Sequence, residues 1–368
     1  MVENPEIRKE RQKYLELVQK LSTALKRIII GQNEVIDKVV KCLFAVGQRG
    51  FYLDKEGKTQ RFLGCGHALF EGPTGTGKTV LCNTLSILVR GEMQRVSCEP
   101  DHMPSDLIGY EMPLADGVER LFKGAVFCDI LLVDEINRLP PKTQSALLEA
   151  MAEGQVTINR KTHRMGKVFF VMGTQNPSKF KGTVSLNPAL SDRFMIKILM
   201  KETTIDQKVE IAEWTHKFDP ETLKSITDVE EISQAREFFY DHALVKKPVL
   251  KYCAKLLRAF GHPEEFSLFE KERALAAKMK LKLFEQSPPL NDRVLLQLHG
   301  AAIIEAASHD RPHAEPADAR AMAADIFRAK LMLTGPALNC LLTENGWQTE
   351  SEIINHLIEE ALGKVLPD

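Results

Sequence analysis

The segment Gly72-Pro73-Thr74-Gly75-Thr76-Gly77-Lys78-Thr79 has the spacing G-x-x-x-x-G-K-[ST]. Glycines so placed let backbone N–H groups turn inward around a phosphate, aided by the positive end of a following helix. Lys78 then supplies a charge for the β- and γ-phosphates, and the Thr79 hydroxyl an oxygen for Mg²⁺. Farther along, Ile130-Leu131-Leu132-Val133 runs into Asp134 and Glu135. The four apolar residues predict a buried strand whose end delivers Asp134 to the Mg²⁺ shell. Glu135, one residue on, can polarise an attacking water as general base. An apolar run ending in Asp-Glu is weak evidence alone. About two βα units behind a phosphate loop, it specifies phosphoryl transfer from a nucleoside triphosphate to water, with ATP and Mg²⁺ as the expected cofactors.

Three further polar residues extend this set. Asn176, in GTQNP, ends the apolar run KVFFVMG, where a neutral amide can hydrogen-bond the γ-phosphate or orient the water. An Asn-Pro is also an ordinary turn. Arg193, in Ser191-Asp192-Arg193-Phe194, could stabilise transition-state charge in a neighbour's site, or simply pair with Asp192 at the surface. Arg293 opens a helical pattern after Asn291-Asp292 and could close a second domain over the nucleotide.

The elements that must position these residues follow from periodicity. HALFEG, MQRVSC, DILLVD, KVFFVMG and FMIKILM are apolar runs of strand length, each followed by helical or loop sequence. Strands alternating with helices predict an α/β fold with a parallel five-stranded sheet covered on both faces. HALFE precedes the glycine-rich segment and a helix follows it, as a phosphate loop requires. Residues 5–27 read as an amphipathic helix with Tyr14, Val18, Leu21 and Leu25 on one face. Another helical stretch extends to Val46, and residues 50–66 read as a polar loop. After Met200 helical patterns dominate: 204–214, 232–242, 249–260, 293–307 and 316–333. Gly335-Pro336 is expected to break the chain before a last amphipathic stretch, 350–362.

The chain of 368 residues is 44% hydrophobic and 27% charged, ordinary for a globular protein with room for two domains. No apolar run approaches the roughly 18 residues that cross a bilayer, and the N-terminus lacks the apolar core of a secretory signal. A cytoplasmic location without membrane association is expected. The net charge of -1 offers no bulk attraction to nucleic acid. Seven scattered cysteines without a C-x-x-C pair predict reduced thiols. Cys65 and His67, in GCGH, lack the further ligands that a tetrahedral metal site needs.

The order of these parts resembles the AAA+ superfamily and, more narrowly, its MoxR branch. Glu99–Glu111 (EPDHMPSDLIGYE), Leu131–Ile158 (LLVDEINRLPPKTQSALLEAMAEGQVTI) and Phe169–Pro177 (FFVMGTQNP) carry the likeness, which runs from about Ile28 to Leu331. It implies an ATPase core over 28–202 behind the N-terminal helix of 1–27. A smaller all-helical lid domain over 203–333 and a tail over 334–368 follow. It implies a ring, a homo-hexamer with ATP at subunit interfaces. Asn176 would be the sensor-1 residue, Arg193 the arginine finger offered to the neighbour, and Arg293 the sensor-2 arginine. Gly31-Gln32 would lie near the adenine. Residues 99–126 would hold the helix-2 insertion, and 155–167 a pore-facing hairpin tipped by Asn159-Arg160-Lys161. Two stretches depart from the family pattern. SLNPALSDRF carries Asn187 where an acidic residue is common, and PPLNDR replaces the usual small-residue lead-in to Arg293.

The resemblance implies ATP-driven remodelling, activation or cofactor and metal insertion of a client enzyme or complex. A separate von Willebrand factor A-domain protein would be the partner, since no D-x-S-x-S occurs here. A nucleic-acid motor and a metal-chelatase motor subunit of the same clade are the alternatives. Stimulation of the ATPase by DNA, lost with salt, would mark the former.

Overall fold

The structure, a computed structural model, describes residues 4–53, 56–73, 75–114, 118–175, 186–217, 219, 222–286, 289–345 and 347–367. The chain divides into two compact units, Met1–His242 and Ala243–Asp368. The sequence pattern placed a boundary at 203, where strands give way to helices. The compact division falls instead after two more helices, and the 334–368 segment packs within the second unit.

In the first unit, α1 (Pro5–Ile28) starts at a proline in its first turn, with the Asn4 side chain accepting from the Glu6 N–H. Its buried stripe includes Tyr14, Val18, Leu21 and Leu25. It ends before α2 (Asn33–Phe44). Residues 50–66 are not a loop: β1 (Val46–Leu53) pairs antiparallel with β2 (Thr59–Cys65). The polar residues of β2 alternate between exposed and half-buried positions, so one face is wet. Charged residues on that face hid the strand.

The central sheet is built from β3 (His67–Glu71), β4 (Met93–Ser97), β7 (Ile130–Asp134), β10 (Phe170–Gln175) and β11 (Phe194–Leu199). Its order is β11-β3-β10-β7-β4 and every pairing is parallel. Ile130 to Val133 are fully buried, as a strand covered on both faces must be. Each contributes about 1.5–3 kcal/mol of burial. α3 (Lys78–Leu88) follows β3, and α5 (Pro141–Glu153) follows β7.

Two hairpins decorate this sheet. After the short α4 (Pro104–Ile108), β5 (Gly109–Pro113) pairs with β6 (Glu119–Lys123). β8 (Gln155–Ile158) pairs with β9 (Lys161–Arg164), turning through Asn159 and Arg160, both at positive φ. The expected tip is therefore Asn159-Arg160. Lys161 belongs to β9 and ion-pairs with Glu111 and Glu119 of the other hairpin. The four-residue α6 (Pro188–Ser191) precedes β11, and α7 (Ile205–Lys217) and α8 (Val229–His242) complete the unit.

The second unit holds α9 (Lys247–Gly261), α10 (Glu270–Lys278), α11 (Asp292–Ser308), α12 (Pro316–Arg328), α13 (Gly335–Asn345) and α14 (Glu350–Lys364). Two-residue strands β12 (Leu244–Val245) and β13 (His313–Ala314) form one parallel pair. Phe260 meets Phe269, Phe284 and Phe327 at ring separations of 5.3–6.4 Å, an aromatic core. Gly335-Pro336 opens α13, which corrects the expected break. Proline in the first turn is preset for a helix and lacks only an N–H that would be unpaired there.

Candidate nucleotide site

Parallel pairing puts the C-terminal ends of the strands along one edge of the sheet, where open α/β sheets bind ligands. Glu71, Asp134 and Gln175 end adjacent strands there. The glycine-rich loop leaves β3 and enters α3. Gly75 and Gly77 have φ of +78° and +85°, left-handed values that side chains disfavour. A Cβ on Gly75 would meet open space, so the loop is wide enough to admit a group against its backbone. Gly72 instead packs against the chain: a Cβ there would lie 2.8 Å from Met200. The Lys78 Nζ donates to the carbonyl oxygens of Gly72 at 3.3 Å and Pro73 at 3.0 Å, which curls its side chain back over the loop. Burial lowers the Lys78 ammonium below the usual lysine range, while the nearby Asp134 and Glu135 carboxylates act to raise it. The two motifs therefore converge electrostatically. Thr79 lies in the first turn of α3, and the Thr76 hydroxyl donates to the Pro73 carbonyl at 3.2 Å. Thr74 and Asn176 fall outside the described residues.

Asp134 and Glu135 are held differently. The Thr174 hydroxyl on β10 donates to Asp134 Oδ1 at 3.3 Å and accepts the Glu135 N–H at 2.9 Å. Arg95 on β4 grips Asp134 Oδ2 through Nε at 2.8 Å and Nη2 at 2.7 Å. Glu135 sits in the left-handed region at φ 56°, ψ 47°, and its Oε2 meets Arg138 Nε at 2.7 Å. A non-glycine residue there stores on the order of 1–3 kcal/mol, a cost common at functional sites. Hydroxyl and carboxylate oxygens are the donors that Mg²⁺ prefers, so Thr79 and Asp134 fit that ion.

Gly31 and Gln32 sit between α1 and α2. Gly31 has φ +79°, and a Cβ on it would strike the Gln207 side chain at 2.7 Å. The buried Gln32 donates through Nε2 to the Lys201 carbonyl at 3.3 Å, tying this turn to the end of β11. Neighbouring Ile29 comes within 3.9 Å of a Cβ built on Gly77, so the turn borders the phosphate loop.

Residues 67–196 match the model of the ATPase family associated with various cellular activities (AAA). The chain is 31% identical to Chaperone MoxR1 of Mycobacterium tuberculosis over 320 residues, 85% of this chain and 75% of that one. The chain belongs to the MoxR family of AAA+ ATPases. It is also 39% identical to the uncharacterized protein YeaC of Bacillus subtilis over 163 residues, 44% of this chain but only 51% of YeaC. A crystal structure of a candidate ATPase from Cytophaga hutchinsonii superimposes with a TM-score of 0.76 at 26% identity. It covers 98% of this chain and 97% of its own. Nucleotide binding is a property of this family.

Within the MoxR core, Arg193 is placed apart from the phosphate loop. β11 runs parallel to β3 with Phe194 opposite His67 and Leu199 opposite Glu71. Arg193 thus stands at the N-terminal edge of the sheet, about 15 Å along the strand direction from the loop after Glu71. The preceding α6 is capped by Asn187, whose Oδ1 accepts the Ala189 N–H, while its own N–H donates to Gln144 of α5. That explains an asparagine at this departure from the family pattern. Arg293 lies in the second unit, in the first turn of α11, its N–H accepted by Asn291 Oδ1.

Arg95, Thr174 and Arg138 escaped the sequence reading. MQRVSC was recognised as a strand, and alternation puts Arg95 and Ser97 on one face, with Ser97 paired to Asp134. That was the available signal for Arg95. Thr174 needed the strand order, which no local pattern contains.

Proposed function

We propose that this chain hydrolyses ATP in a Mg²⁺-dependent reaction as a ring-forming MoxR-type motor. The observation that carries the reading is that the glycine-rich loop leaving β3 and the Asp134-Glu135 end of β7 lie at one edge of the parallel sheet. In this reading the inward N–H groups of residues 72–79 and the Lys78 ammonium bind the β- and γ-phosphates. Thr79 and Asp134 would hold Mg²⁺, which when bound neutralises phosphate charge. Glu135 releases Arg138 and takes the proton of the attacking water. Asn176 orients that water. Arg193 cannot serve its own phosphate loop across the sheet, which supports its insertion into a neighbour's site. Six subunits, the number expected from the family likeness, would then bury each nucleotide between two copies. Arg293 would close over the nucleotide as the sensor-2 residue.

The work done with this energy is read as remodelling or activation of a client protein, including cofactor or metal insertion, together with a von Willebrand factor A-domain protein. The relative named as a chaperone supports that reading.

Mixing inactive variants tests the ring. Arg193→Ala retains an intact phosphate loop and Glu135→Gln an intact finger. Combined in varied ratios, they should regain ATP turnover that neither has alone. Mixtures that stay as inactive as the separate variants would remove the trans role of Arg193. Retention of an A-domain protein by Glu135→Gln held in ATP tests the partner. Nuclease-sensitive retention of nucleic acid in its place would count against it.

A further inference from the structure

The second unit contains a cluster unrelated to the nucleotide site. His356 and Glu360 are four residues apart on α14 and so share a face of that helix. Glu272, in the first turn of α10, faces them from another helix. One ligand atom from each of the three lies within 4.8 Å of the others. What marks the cluster is the state of Glu272. Its side chain is only 6% exposed, and it meets the His356 Nε2 at 3.5 Å. No described residue outside the cluster donates a hydrogen bond to it. A buried carboxylate without donors is costly unless a cation accompanies it.

Glu360 is oriented from outside the cluster. Its Oε1 accepts the Phe269 N–H at 3.1 Å and the Lys364 ammonium at 2.9 Å. That leaves Oε2 as the oxygen free of these outer donors, the arrangement that holds a metal-binding carboxylate in place. The indole of Trp347 lies 5.2 Å from the His356 ring, walling one side.

We propose that Glu272, His356 and Glu360 form a site for a first-row divalent cation, with Zn²⁺ the best match, that fastens α10 to α14. One imidazole with two carboxylates favours such an ion over Mg²⁺ or Ca²⁺, which prefer all-oxygen shells. Bond lengths of about 2.0–2.2 Å at tetrahedral angles set ligand atoms on one Zn²⁺ roughly 3.3–3.6 Å apart. The His356 Nε2–Glu272 pair already stands at 3.5 Å, and the remaining separations, within 4.8 Å, close with side-chain shifts on the order of an ångström. A water completes the tetrahedron.

The competing arrangement is a protonated His356 between two carboxylates, with no metal. Full-length protein stripped by chelator and titrated with Zn²⁺ alone separates the two. We expect one equivalent whose affinity drops about tenfold or more in His356→Ala and in Glu272→Gln. Zn²⁺ should also shift the His356 ring ¹⁵N resonance and raise the melting temperature of the wild type, but not of His356→Ala. Should Glu272→Gln fail to fold, the half-exposed His356 decides the matter alone, with circular dichroism reporting its fold. Unsaturable binding, equal binding by wild type and His356→Ala, or an unmoved His356 resonance would each overturn the site. None of these readouts involves ATP turnover, so the proposal stands or falls separately from the motor reading.

Discussion

The two ends of the parallel sheet put their polar side chains to different uses. At the C-terminal edge, the Asp134 and Glu135 carboxylates lie near enough to act on the Lys78 ammonium, beside a loop that is open at Gly75. Toward the N-terminal edge, His67, Cys65 and Arg236 are spent on backbone. His67 Nδ1 accepts the Val171 N–H at 3.1 Å, so Nε2 carries the proton and donates to the Met151 carbonyl at 3.2 Å. The Cys65 thiol donates to the Phe169 carbonyl at 2.9 Å, and the buried Arg236 donates to the Lys167 carbonyl at 2.9 Å. Burial pushes the Cys65 thiol up and the Arg236 guanidinium down. A histidine and a cysteine two residues apart suggest metal chemistry, but here they staple a strand. Residue type nominates a site, and the partners that the fold supplies decide its use.

The comparison breaks most sharply at Lys78. Lys78→Ala should weaken nucleotide binding by on the order of 100-fold, because two charge-assisted phosphate contacts are lost. Calorimetric titration with ADP measures this, and near-normal affinity would refute the phosphate-loop assignment. Nucleotide-free, the same variant should be no less stable than wild type. The native Lys78 value lies below that of the unfolded chain, so its protonated form is a cost in the fold. That cost is present at neutral pH and is relieved as pH rises from the lowered native value toward about 10.4. Any gap in stability between wild type and Lys78→Ala should therefore narrow in alkaline melts.

At the opposite edge the expected signature is reversed. His67→Leu leaves the Val171 N–H and the Met151 carbonyl buried without partners, about 2–5 kcal/mol of stability in total. Denaturant unfolding should show that loss, while ADP affinity of the folded fraction stays at the wild-type level. A change in affinity beyond a few-fold would mean that the two edges are not independent.

A finer test lies between them. Thr174→Val removes the hydroxyl shared by Asp134 and the Glu135 N–H, costing about 1–3 kcal/mol. It should lower turnover more than ADP affinity, since it releases the strained Glu135 backbone. Equal effects on both would assign Thr174 to binding alone.

The smallest effect concerns the thiols. All seven cysteines are buried, and burial pushes Cys98, Cys128 and Cys253 up to about 12. With so little thiolate near pH 7, labelling of native protein by iodoacetamide should be slow at every cysteine and rapid in denaturant. A fast-labelling native thiol would expose an error in that packing.

Much of this was written locally. The spacing 72–79, the apolar run into Asp134 and Glu135, and five strand-length runs specified the motif and the parallel sheet, because hydrophobic period and glycine freedom act over a few residues. The β1–β2 hairpin was missed since its wet face carries charge in place of clean alternation, and α10 and α13 because their apolar stripes are short. Which groups meet was beyond local pattern. Arg95 and Thr174 reach Asp134 only because β4 and β10 flank β7, and Arg193 is carried to the far edge only because β11 runs parallel to β3. The pairing of Glu272 with His356 likewise joins helices far apart in the chain. Strand order and helix packing are set by the burial of whole faces, a property of the entire chain. The sequence thus determined the chemistry available, and the tertiary structure decided which polar groups meet to perform it.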